Sequence, residues 1–184
     1  MILGVLQVFG LSNCASFQLA PKSDLEIIYK GNYKRLSGCY QNSPMEYTVE
    51  GKSSEHGSGF TPKRLWEQLT GCRNELDTGQ VTIEFKSRRR AIAKLYYNDR
   101  LIESVTLKGH VHDDFFYGRV RCKVIPFLPL AFGYRSDGYR IALRDDNLVI
   151  DYRWEYSLTT LFGGSSDEGL CREVFKRQIT TDSR

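Results

Sequence analysis

The chain has 184 residues, 41% apolar and 26% charged, which suits one globular domain with a real core and leaves no room for two comfortable ones. Its 26 basic residues interleave with 22 acidic ones to a net charge of +4, with no concentrated basic face or docking module, so no nucleic-acid partner is expected. Sixteen glycines beside 11 Tyr and 10 Phe favour strands joined by tight turns.

Residues 1–13 carry no charge, and Met1 to Leu11 is apolar apart from Gln7 and two glycines. That is the length of a secretory apolar region and well short of the roughly 20 residues a membrane-spanning helix needs. Small residues follow, Ser12 to Ser16, and then QLAPKSD, the composition of a flexible tether. The segment resembles the bacterial lipoprotein signal, in which Leu and small residues precede a cysteine that is acylated before cleavage. Leu11, Ser12 and Cys14 match that pattern, and Asn13 stands where the family has Gly, Ala or Ser. The resemblance implies removal of 1–13, lipidation at Cys14, a membrane partner through that lipid, and a place in the cell envelope, periplasmic or surface-exposed. The expected division is therefore signal 1–13, tether 14–32, one domain 33–179 and a tail 180–184. Of the five cysteines, acylation of Cys14 leaves Cys39, Cys72, Cys122 and Cys171, which allow three pairings, and none forms a CxxC.

From residue 33 the period is two. YKRLSGCYQN places Leu36, Gly38 and Tyr40 on one face, and VTIEFKS alternates Val81, Ile83 and Phe85 with polar residues. AIAKLYYN aligns Ala91, Ala93, Leu95 and Tyr97, with SRRR as the turn before it. Between the first two strands, TPKRLWEQLTG predicts one helix: Thr61 at the N-cap, Pro62 in the first position, Leu65, Trp66 and Leu69 as its apolar face, Gly71 as its stop. Asn98 to Arg100 turn the chain into a strand over 101–112, and Asp113 and Asp114 turn it again. FFYGRVRCKV then puts Phe116, Gly118, Val120, Cys122 and Val124 inward. A long hairpin over 139–157 turns at Asp145, Asp146 and Asn147. LCREVFKRQI fits either a short helix or a closing strand.

About eight consecutive strands with one or two short helices predict a mainly β, antiparallel up-and-down barrel, because closure removes the exposed edges. Gly38-Cys39-Tyr40, early in such a meander, resembles the Gly-x-Trp strand of lipocalin-like barrels, with Tyr40 in place of Trp. The chain is also similar to small barrel lipoproteins of unknown function in bacterial envelopes. That likeness implies a fold and a place, and no reaction.

Little catalytic chemistry is legible. His110 and His112, two apart on a strand, share a face and are weak zinc candidates, but Phe115 stands where a metallo-β-lactamase HxHxDH signature needs His. No Gly-x-Ser-x-Gly, GxGxxG or P-loop spacing occurs, so no cofactor is expected and the protein is not read as an enzyme. The four basic residues of KSRRR read as a solvated hairpin tip or as a contact for anionic headgroups. VIPFLPLAFGY is too apolar for a free loop, and its two prolines bar a central strand. It reads as a plug, a cavity mouth or a contact surface. The expected role is binding of a small hydrophobic or amphipathic ligand, by Tyr40, Phe116, Phe127, Leu128, Leu130, Phe132, Tyr152 and Trp154. The alternative is a filled barrel with a structural or protein-interaction role, its partner an envelope protein.

Overall fold

The computed structural model describes residues 24–52, 61–72, 76, 78–118, 121–127, 131–160 and 162–178. A 3-10 turn, Tyr33–Leu36, leads into strands β1 Gly38–Gln41 and β2 Glu46–Lys52, and a helix, α1 Leu65–Thr70, follows. The remaining strands are β3 Gln80–Ser87, β4 Arg90–Tyr97, β5 Arg100–His112, β6 Phe115–Gly118, β7 Arg121–Phe127, β8 Ala131–Arg144, β9 Asn147–Thr160, β10 Gly163–Phe175 and β11 Arg177–Gln178. Every pairing is antiparallel, in the order β11-β1-β3-β4-β5-β6-β8-β9-β10-β2, with β7 on β8 alone.

The fold is mainly β, as expected, but the sheet is not a closed barrel. Its ladder is open, running from β11 to β2. The reason is β2, a strand the periodicity did not announce. It pairs with β10 from Glu168↔Lys52 to Val174↔Glu46 and occupies the edge that closure would need. Beyond Lys176 the chain reaches β1 through two residues only, Cys39↔Gln178 and Tyr40↔Arg177.

Three hairpin turns fall where the acidic and amide pairs stand. Asn98 and Asp99, Asp113 and Asp114, and Asp145 and Asp146 all have positive φ, between 44° and 69°, the backbone of a two-residue turn whose twist matches the flanking strands. Short polar side chains tolerate that region better than others do. The sheet also turns a corner within β5. Residues up to Lys108 pair with β4, whereas Gly109 to His112 pair with β6. At that corner Gly109 faces Gly118. A Cβ on Gly109 would lie 2.1 Å from the Tyr117 carbonyl oxygen, and one on Gly118 would lie 2.1 Å from the Tyr139 ring.

The expected continuous strand 115–124 is instead β6 and β7. Between Tyr117↔Arg140 and Arg121↔Asp137 one side advances four residues and the other three, which shifts the face of all that follows. Val124, expected inward, is 58% exposed. Pro126 lies in β7, an edge strand, where a missing N–H is tolerated. LCREVFKRQI takes the strand alternative, as part of β10 and β11. The predicted helix starts later than Thr61, since Arg64 is still extended (ψ 150°). Its cap comes from elsewhere in the chain: Trp66 N–H donates to Asn42 Oδ1 (2.9 Å) and Leu65 N–H to the Asn42 carbonyl (2.8 Å). Gly71, at φ 71°, ends it as expected.

The concave face encloses one core, built from Leu36, Tyr40, Leu65, Trp66, the inward residues of β3 and β4, and Phe116, Ile141, Ile150 and Phe175. Each large side chain there gains about 1.5–3 kcal/mol from burial. A smaller cluster of Phe115, Ala142, Val149 and Val174 lies apart from it, with Leu25 against it. Residues 24–32, within the stretch expected as tether, are docked: Glu26 N–H donates to the Leu143 carbonyl (2.8 Å) and Ile28 is 1% exposed. Residues 14–23 lie outside the described part.

Candidate functional site

On β10, Cys171, Glu173 and Phe175 alternate onto one face, and all three are buried. Glu173 thus puts a carboxyl among apolar side chains, which requires partners. The segment leading into α1 supplies them. Lys63 N–H donates to Oε1 (2.8 Å), Gln68 Nε2 donates to Oε2, and the Cys171 thiol lies 3.6 Å from Oε1. Burial still outweighs these donors and pushes the carboxyl up to about 7. Burial raises the Cys171 thiol as well, reinforced by the Glu173 charge, and lowers the Lys63 ammonium.

Lys63 Nζ stands 4.0 Å from the centroid of the Tyr152 ring, a cation–π contact. Tyr152 and Trp154, two apart on β9, stack at 6.2 Å and 26°. Burial, then the neighbouring Asp137 carboxylate, pushes the Tyr152 hydroxyl up to about 12. The cluster combines an aromatic pair, of which Tyr152 is buried, two cations, Lys63 and Arg135, and a carboxyl that titrates near neutrality. It can accommodate an amphipathic group or simply seal the end of the core. Nucleophilic chemistry at Cys171 is disfavoured, because a buried thiol held protonated is inert.

The ligand residues expected from sequence do not form one group. Tyr40 and Phe116 are 0% exposed within the core. Tyr40 Oη donates to the Leu36 carbonyl (3.0 Å), and the Phe116 ring meets Phe85 edge-on at 4.9 Å. Tyr152 and Trp154 belong to the cluster just described. Phe132, on β8, is 37% exposed, and Phe127 pairs through its backbone with Ala131 on the β7–β8 hairpin. Leu128, Leu130 and Cys14 lie outside the described residues. His110 and His112 both face solvent from β5, their ring centroids 6.5 Å apart; His110 stacks on Tyr117 and His112 Nδ1 lies 2.9 Å from Asp113. Among the described residues no group of three His, Cys, Asp or Glu is placed to hold a metal, and no helix is long and apolar enough to cross a membrane. Cys39, Cys72 and Cys171 are free thiols.

Lys63, Gln68 and Glu173 were not singled out by sequence reasoning. The signal for Glu173 was its period-two alignment with Cys171 and Phe175. Comparison with known protein families, with characterised proteins and with solved structures gives no match.

Proposed function

We propose that the chain is a non-enzymatic lipoprotein of the bacterial cell envelope, held at the membrane by acyl chains on Cys14, whose folded part is a structural or protein-interaction module. The observation that carries this reading is the burial of Tyr40 and Phe116. These two of the expected ligand residues are 0% exposed and pack on Leu36, Phe85 and their neighbours, so they fill the interior where they stand. The membrane anchor rests on Leu11, Ser12 and Cys14.

A second reading, a carrier of a small amphipathic ligand, draws support from the Tyr152–Trp154 stack with Lys63 beside it. Titration with a fluorescent apolar probe separates the two. The filled module takes up no probe saturably. One-to-one uptake that is lost in Trp154→Ala would favour the carrier.

A further inference from the structure

The β3–β4 turn that the sequence marks as KSRRR is part of a groove, and strands distant in sequence complete it. Lys86, Ser87, Arg89, Arg90, Lys108 and Gly109 line a concavity of ≈ 620 Å³. A second, of ≈ 460 Å³, shares Ser87 and Arg89 and adds Lys30, Arg88 and His110. Arg90 and Lys108 stand directly opposite each other in the β4–β5 register.

Like charges so placed repel, and the usual remedy is a carboxylate between them. Several arginines elsewhere in the molecule have that remedy. Arg35, Arg140, Arg144, Arg172 and Arg177 each lie against Asp or Glu. In the groove only Lys86 does, through Glu84; among the described residues Lys30, Arg88, Arg89, Arg90 and Lys108 have no carboxylate within ion-pair distance. The groove is also fixed in shape. Gly109 N–H donates to the Arg89 carbonyl (3.1 Å), tying the turn to β5, and Arg89 N–H donates to Ser87 Oγ (3.3 Å).

We propose that this groove binds a small ligand carrying two or more phosphate groups. Phosphate oxygens match arginine forks and a lysine point charge, and the groove's five cations without a carboxylate exceed the charge of a single phosphate. The site is short, formed by one hairpin turn and its neighbouring strand, and its one aromatic ring, His110, is already stacked on Tyr117. A nucleic-acid track is therefore disfavoured against a compact phosphate cluster.

The shared chemistry has two sources, a soluble polyphosphorylated molecule or the headgroups of an anionic membrane, and two probes distinguish them. Tripolyphosphate is titrated calorimetrically into the full chain at low and high ionic strength. Vesicles of phosphatidylglycerol, against phosphatidylcholine, are sedimented with the Cys14→Ser chain, which carries no acyl anchor. Saturable, salt-sensitive tripolyphosphate binding is expected, weakened at least about tenfold by Arg89→Ser or Lys108→Ser and unchanged by Arg100→Ser at the β4–β5 turn, the far end of β4. Selective sedimentation with phosphatidylglycerol, lost in the same two variants, assigns the headgroup source; tripolyphosphate binding alone assigns the soluble one. Binding of neither probe, equal loss in Arg100→Ser, or tighter binding of duplex DNA than of tripolyphosphate would overturn the proposal.

Discussion

Arg140 and Asp151 face each other across β8 and β9 as a buried ion pair, Nε to Oδ2 2.8 Å, with side chains 2% and 0% exposed. Asp151 also accepts from Arg172 Nε at 2.7 Å, and the Arg140 guanidinium lies 3.9 Å above the Phe115 ring. The carboxylate thus bridges two arginines, and Arg172 has a second partner in Asp24, 3.5 Å away. Asp151→Ala strands a buried charge and is expected to cost about 3–5 kcal/mol in urea unfolding. Arg140→Met with Asp151→Leu removes both charges and should cost less than the single change. Equal losses would show that packing, not charge, holds this face together.

Glu173 makes stability pH-dependent, and the sign follows from its shift. The carboxyl titrates near 4.5 in the unfolded chain and near 7 in the fold, so the native state holds the extra proton. Its contribution is complete below pH 4.5 and is lost as pH rises through 7. The size is on the order of 3 kcal/mol, because Glu173 is 0% exposed. Glu173→Gln should flatten the fall in stability over that window, measured as denaturant midpoints at several pH values. An unchanged slope would place the titration elsewhere.

The β5 corner depends on the absence of two side chains. Gly109→Ala sets a methyl against the Tyr117 carbonyl oxygen, and Gly118→Ala sets one in the Tyr139 ring. Each is expected to cost about 1–3 kcal/mol. The second is relievable: Tyr139→Leu in the Gly118→Ala chain should recover part of the loss, while nothing comparable rescues Gly109→Ala, whose clash is with backbone. Thermal melts of the three variants read this directly.

The thiols should differ sharply in reactivity. In a Cys14→Ser, Cys122→Ser chain, exposed Cys72 is expected to react with a thiol reagent at neutral pH. Cys39 and Cys171, 7% and 0% exposed and both with thiols raised by burial, should react only on unfolding. Modification of Cys171 at the rate of Cys72 would contradict the packing around Glu173.

Local rules carried the sequence reading as far as local rules decide. Val81, Ile83 and Phe85, and Ala91, Ala93 and Leu95, are inward and at most 3% exposed, as their alternation predicts. The Asn and Asp turn pairs have the backbone their chemistry favours. What escaped is non-local. EYTVEGK offers only Tyr47 and Val49 in alternation, too short a run to mark a strand, and both stay exposed, 53% and 41%; it is a strand because β10 offers it an edge. That same pairing is why an expected barrel is an open sheet. Glu173 escaped because Leu170, Val174 and Phe175 also fit a helical period, and only strand geometry aligns it with Cys171. The groove cations of β3–β4 were legible as a run, but Lys108 and Lys30 join them only through folding.

In the function proposed above, the interior is filled by the chain's own side chains and the protein works through its surface. Native mass spectrometry of protein purified from its native host tests this most directly. A polypeptide mass with no apolar or amphipathic molecule bound, beyond covalent acyl chains, is expected. An apolar or amphipathic ligand retained one-to-one, and lost when Tyr152 or Trp154 is replaced by alanine, would contradict it.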